Sequence, residues 1–436
     1  MMISKKTIHI ILGCLLLSNT SFSTDHLPDG NVTSVDISDF LATALDDRQV
    51  TQREEMVDFI EGAPGNTAFI RSLEFRTETD RFAIANQKYS LRFYPASLVE
   101  NRSNRELQSS AVKASRQEQE LVLHQALRWR YRLALRYLYN LERLGLKREL
   151  VQLHRDQVQV LNQSSGNLDF DINDLLQSQE QLIEVELDVI ELDSRDRQLT
   201  TEIQNCFSMP TQLNFEGGGL YGVTTVTTLL DTLCGKAVTT SPYLRSSQAR
   251  VELSGAEFNL KQARERQIFN FFKVTYDYEN HLDTREALFV ELGVKIPIGS
   301  GNQLELDRSH LEYLAETAEH SELVRELELE LEQSIADLGQ LLEQIALLEK
   351  QKTDSSAETA LAAMQRYPGT EPLSLLRLRE SVVKRDLQQV TLNYLLRMKY
   401  IELLDLNGSL SQLPLRNWLS GDLEMLYHLP ESSDDE

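Results

Sequence analysis

Apolar positions along this chain keep two different periods. Leu373, Leu376, Glu380, Val383, Leu387, Val390, Tyr394, Arg397, Ile401 and Leu404 follow one another in alternating steps of three and four, and Leu146, Leu150, Leu153, Gln157 and Val160 keep the same step. That spacing lays a stripe along a helix and is the spacing of a coiled-coil seam. Elsewhere the period is two. In ALFVELGVKIPI (287–298), Leu288, Val290, Leu292, Val294, Ile296 and Ile298 alternate with Glu291, Gly293 and Lys295. NFFKVTYDYE (270–279) does the same through Phe272, Val274, Tyr276 and Tyr278. RSLEFRTE (71–78) and QKYSLRFYP (87–95) alternate more weakly, through Leu73, Phe75, Tyr89, Leu91 and Phe93. These are four strands, each with one apolar face. ELELELE (326–332) also alternates, but it lies inside a long helical run. It reads as helix with neighbours on two sides, Leu327 and Leu331 toward one and Leu329 toward the other.

The two strand pairs head two similar halves, each running helix, strand pair, long helix, break, shorter helix. Pro95 and Pro297 lie 202 residues apart, Gly166 and Gly369 lie 203 apart, and the pairs Leu175-Leu176 and Leu375-Leu376 lie 200 apart. A period this long is a duplicated half-molecule rather than a solenoid repeat. From Pro95 to the break at Ser164, and from Gly301 to Tyr367, the runs are long enough for helices of roughly 100 Å at 1.5 Å per residue. Helices of that length need lateral partners along their whole extent.

Composition narrows the picture. Only 19 Gly and 10 Pro punctuate 436 residues, which leaves the long Leu-, Glu-, Gln- and Arg-rich runs unbroken and predicts a mostly α chain with a small β part. Lys5 and Lys6 precede a short apolar run ending at Leu17, and Ser21-Phe22-Ser23 follows. This is the pattern of a cleaved signal peptide, too short to span a bilayer. A second reading takes Ile11-Leu12-Gly13-Cys14 as a lipobox, which would leave Cys14 lipidated. No later segment reaches the ~20 apolar residues of a membrane helix, so any crossing must use strands. The formal charge of −23 excludes a nucleic-acid partner, whose phosphates require a basic surface. Cys206 and Cys234 flank a Gly/Thr-rich stretch. In an exported chain they form either a disulfide or two free thiols. Among the eight histidines there is no His-Glu-x-x-His, and the chain has no Cys-x-x-Cys and no Gly-rich phosphate loop. No active site, metal site or cofactor is expected.

The order and spacing of these elements resemble the TolC-like outer-membrane efflux protein (outer membrane factor) family over nearly the whole mature chain. The resemblance is carried most clearly by SPYLRSSQARVELSGAEFNLKQARERQ, VELGVKIPIGSGNQLELDR, RYPGTEPLSLLRLRE and YIELLDLNGSL, in that order. It implies a homotrimer that pools its strands into one 12-stranded barrel in outer-membrane lipid, above a periplasmic tunnel of helices. It further implies a periplasmic adaptor protein and an inner-membrane transporter as partners, in a tripartite efflux pump or a type I secretion system. The organisation then reads as signal peptide (1–23), first repeat (24–210), equatorial insert (211–241), second repeat (242–410) and acidic tail (411–436). A periplasmic adaptor, or a coiled-coil structural protein of the envelope, is the alternative.

By the same resemblance the two breaks are hairpin tips that touch the adaptor, at Gly166, Tyr367 and Gly369. Each glycine also reads as an ordinary helix cap. The family often places acidic residues just beyond the second tip. Here that position holds Arg377 and Arg379 with Glu371 and Glu380, while carboxylates gather at the first tip as Asp169, Asp171 and Asp174. These are the candidate gate charges, and Arg377 is expected to pair with a carboxylate of a neighbouring hairpin. Each also reads as a surface charge ending a helix.

Overall fold

A computed structural model describes residues 33–63, 70–79, 87–166, 170–207, 211–213, 215, 220–234, 240–277, 288–294, 303–354 and 371–426. The signal segment with Cys14, and Asp169, Tyr367, Gly369 and the end of the acidic tail, lie outside the described residues, as does the side chain of Cys234.

The longest element is helix α3 (Leu98–Gln163), 66 residues and therefore about 100 Å long. Ser97 starts it by accepting a hydrogen bond from the Glu100 amide at 3.0 Å. Helix α4 (Ile172–Gln204) follows the first break and is capped by Asp171, whose carboxylate takes the Asn173 amide at 2.8 Å. In the second half α6 (Pro242–Glu265) precedes the strands, and α7 (Gln303–Asp354) and α8 (Pro372–Leu406) follow them. Pro372 occupies the first turn of α8, where an amide would lack an intrahelical partner in any case. The ELELELE segment is helical inside α7, with Leu327 buried and Leu329 exposed, so the helical context overrides the local alternation.

Helix α3 packs on α4, α6 and α8, and α7 packs on α6 and α8, which leaves α4 and α7 as the flanks of the helical layer. Two of the apolar zones that hold it together run along α3. One lies around Leu127, Tyr131, Leu135 and Leu138 of α3, with Ile203 of α4 and Leu396, Tyr400, Ile401 and Leu404 of α8. The short helix α1 (Ile37–Ala42) closes it with Phe40 and Leu41. The Tyr131 hydroxyl spans this zone to the Arg416 carbonyl at 2.7 Å. Gly408 turns the chain after α8 with φ +76°, and a side chain there would also strike Pro242 and the Thr240 carbonyl. The second zone is the seam legible in the sequence: Leu146, Leu150 and Leu153 of α3 against Leu376, Val383 and Leu387 of α8, with Leu182 and Val185 of α4.

The two strand pairs join in one antiparallel sheet of order β2-β3-β5-β6, formed by Ile70–Thr79, Gln87–Pro95, Phe269–Asp277 and Leu288–Val294. Sequence periodicity gave the pairs, and the β3–β5 pairing between the halves appears only in three dimensions. A further parallel pair, β1 (Thr33–Val35) with β4 (Thr211–Leu213), ties the start of the described chain to the segment after α4. Its three-residue strands are too short for any periodicity to reveal.

Candidate functional site

Cross-strand register sorts the sheet into two unlike faces. Leu73, Phe93, Phe272 and Leu292 are opposite one another in one row, and Phe75, Leu91, Val274 and Val290 in the next. The rings of Phe93 and Phe272 meet at 6.2 Å. This face is unburied within the chain: Phe75 is 64 % exposed, Val290 65 % and Leu292 58 %. An apolar patch of this breadth exposed on one chain marks a surface that meets lipid or protein.

On the opposite face one row consists of Glu74, Arg92, Lys273 and Glu291, one residue from each strand. Glu74 takes Arg76 at 2.6 Å and Arg92 at 3.6 Å, and the Tyr94 hydroxyl donates to it at 3.0 Å. Lys273 pairs with Glu291 at 3.3 Å. Two rows further along, Lys88 pairs with Asp277 at 3.1 Å. Phe271 and Phe289 share this face, and the Phe271 ring lies beneath the Arg92 guanidinium, 4.4 Å from its centroid. That ring also covers Gly293, where a Cβ would overlap it. The outer strands, β2 and β6, each have a single partner.

The junction of sheet and helices is locked by Glu100, which is 2 % exposed in the first turn of α3. It is held by Arg71 of β2 at 2.5 Å and by Arg264 of α6 at 3.1 Å. Gln267 donates to the Pro95 carbonyl at 2.6 Å from the same side. Midway along α3, His124 is fully buried between Ser411 at 3.0 Å and Asp405 at 3.0 Å. Arg128 also pairs with Asp405 at 3.0 Å, and the Tyr243 hydroxyl donates to it at 3.1 Å. Every contact in this network ties α3 or α6 to the end of α8 or to the turn that follows it, which makes it a strut.

At the far end, the structure brings together some of the residues singled out in the sequence. Arg377 pairs with Asp174 at 2.9 Å, joining α8 to α4 within one chain. Arg379 reaches Glu149 of α3 through two nitrogens, at 3.2 and 2.8 Å. Asp171 is occupied as the α4 cap, and Glu371 precedes α8 and accepts from the Ser374 hydroxyl at 2.9 Å. Gly166 lies in the turn after α3 with nothing near its Cβ position. Glu380 is turned into the seam and is 9 % exposed. It accepts from Gln157 at 2.9 Å and from Lys384 at 2.6 Å, and buried His154 lies 3.8 Å away. Burial pushes the Glu380 carboxyl up, but the Gln157 and Lys384 hydrogen bonds outweigh it and hold the group below its usual value. Gln157 and Glu380 are polar members of the two seam spacings, and they meet as one polar layer.

Cys206 is a free thiol whose Sγ lies 3.5 Å from the Glu202 carbonyl. The thiol points back along its own helix end. Among the described residues no cluster of His, Cys, Asp and Glu could hold a metal ion, and no helix is long and apolar enough to cross a membrane.

The sequence matches no family model and no curated protein. The fold does match solved structures. The open state of the MtrE outer membrane channel of Neisseria gonorrhoeae aligns with a TM-score of 0.63 at 12 % identity, over 88 % of this chain and 90 % of that one. The outer membrane protein VceC from Vibrio cholerae aligns with a TM-score of 0.61 at 14 % identity, over 85 % and 96 %. For the Campylobacter jejuni CmeC outer membrane channel the values are 0.59 and 10 %, over 91 % and 94 %. The chain has the fold of these proteins.

Proposed function

We propose that this protein is an outer-membrane exit duct, a passive conduit from periplasm to exterior in a tripartite efflux pump, with three copies forming one channel. The observation that carries this reading is the sheet: four strands with one exposed apolar face, one charged face and two open edges, set on a helical layer whose longest helix is about 100 Å. Unpaired strand edges are not tolerated in hydrocarbon, and four strands cannot close around water. Three copies supply twelve strands, an even number in the range of natural barrels, and leave no edge.

The helical flanks support the same assembly. Ile172, Leu176, Ile183, Leu187 and Ile190 form an exposed stripe on α4, and α7 exposes Leu304, Leu311, Leu314, Leu329 and Leu347. These are second seams without a partner inside the chain, and neighbouring copies would close them as a ring of helices. The duct itself performs no chemistry. An inner-membrane transporter would supply the energy and a periplasmic adaptor would meet the tips around Gly166. A type I secretion system would use the same duct. Helical duplication argues against an adaptor, and the exposed apolar sheet face argues against a soluble coiled-coil protein.

The test is purification from washed membranes. Release only by detergent, a mass of three chains, and ion conductance in planar bilayers are expected. Release by salt alone, or folded monomers without conductance, would overturn the proposal.

A further inference from the structure

The charged row of the sheet has a consequence for what the duct lets through, and it rests on the exit-duct reading above. In a strand, successive side chains leave on opposite faces. Once the Phe75–Val290 face is against lipid, Glu74, Arg92, Lys273 and Glu291 must all face the bore. We infer that these four residues line the water-filled barrel and set its ion preference, holding the exit section near neutral while the rest of the chain is strongly acidic.

The arithmetic of the row supports this. Each chain places two cations on the central strands and two carboxylates on the outer ones, so three copies make a ring of twelve charges that sums to zero. The neighbouring rows keep the balance: Arg76 and Lys88 are matched by Glu78 and Asp277. The whole chain carries −23. The acidic excess therefore lies outside these rows of the sheet.

Distance makes the ring effective. Twelve strands spaced ~4.8 Å apart and tilted about 40° enclose roughly 24 Å between backbones, before side chains narrow the bore. With a Debye length of ~8 Å at physiological salt, wall charges act over much of that width. The order of signs matters as well. Arg92 and Lys273 are direct cross-strand neighbours, a like-charge pair that is unfavourable alone. Glu74 and Glu291 flank and neutralise it. Removing the carboxylates would leave a cationic stripe on each copy, and removing the cations would leave carboxylate on both sides of every boundary between copies.

Reversal potentials in a KCl gradient test this directly. Arg92→Gln with Lys273→Gln should shift the channel toward cations, and Glu74→Gln with Glu291→Gln toward anions, each by several-fold in permeability ratio. A second arm uses Lys273→Cys and Val274→Cys in a background lacking the native cysteines, with a charged, water-soluble thiol reagent. Lys273→Cys should react and lower conductance, and Val274→Cys should not. Unchanged selectivity in both double variants while conductance persists, or equal reaction at the two cysteines, would overturn the inference. Absence of conductance in the wild-type protein would instead overturn the channel reading, and this inference with it.

Discussion

Arg377 Nη2 and Asp174 Oδ2 stand 2.9 Å apart, one on α8 and the other in the first turn of α4, and so join the two helical hairpins of a single chain. Both side chains are about half exposed, at 56 % and 40 %, so one pair contributes only about 0–1 kcal/mol. Threefold repetition would apply it three times around the same axis.

Arg377→Glu should therefore raise single-channel conductance and vancomycin sensitivity, and adding Asp174→Arg should partly reverse both effects. Unchanged conductance and sensitivity in Arg377→Glu would make this pair an ordinary surface contact.

The polar layer in the α3–α8 seam predicts an acid-sensitive contribution. Because Glu380 is held below the ordinary carboxyl value of 4.5, its stabilising share is full above that value and is lost as pH falls through the lower folded value. Glu380→Ala should cost about 1–3 kcal/mol near neutral pH by leaving the Gln157 amide unsatisfied. Thermal unfolding of wild type and Glu380→Gln across the acid range should give different pH profiles. Superimposable profiles would remove Glu380 from the account.

The two sheet faces predict opposite tolerance to charge. Val290→Arg, on the apolar face, should lose up to about 2–4 kcal/mol of barrel stability, whereas Thr275→Arg on the charged face should be accepted. Yield of assembled trimer from outer membranes reads this out, and equal yields would contradict the assignment of faces.

Cys206 should be alkylated without prior reduction once the protein is unfolded, since its thiol is free. In the folded protein burial pushes the thiol up, and the reaction at neutral pH should be slow. A peptide containing Cys206 linked to Cys234 in unreduced digests would contradict this.

Periodicity marked the long helices and the two strand pairs, although ELELELE needed its helical context and the three-residue strands β1 and β4 carried no signal. Alternating steps of three and four marked the seam from Leu373 to Leu404, and a period of two marked both strand pairs, because each period is imposed by the need to bury one face of one element. The duplication was equally legible, since equal spacings survive in one dimension. Tertiary structure decided who faces whom. Gln157 and Glu380 stood out only as polar members of two separate seams, and their meeting at 2.9 Å depends on how α3 and α8 slide past each other. Likewise Arg92 and Lys273 lie about 180 residues apart, and only the register of β3 against β5 makes them neighbours in a charged row. Local sequence fixes the period of an element through its own backbone geometry. Register between distant elements is settled by packing over the whole interface, and no single segment carries it.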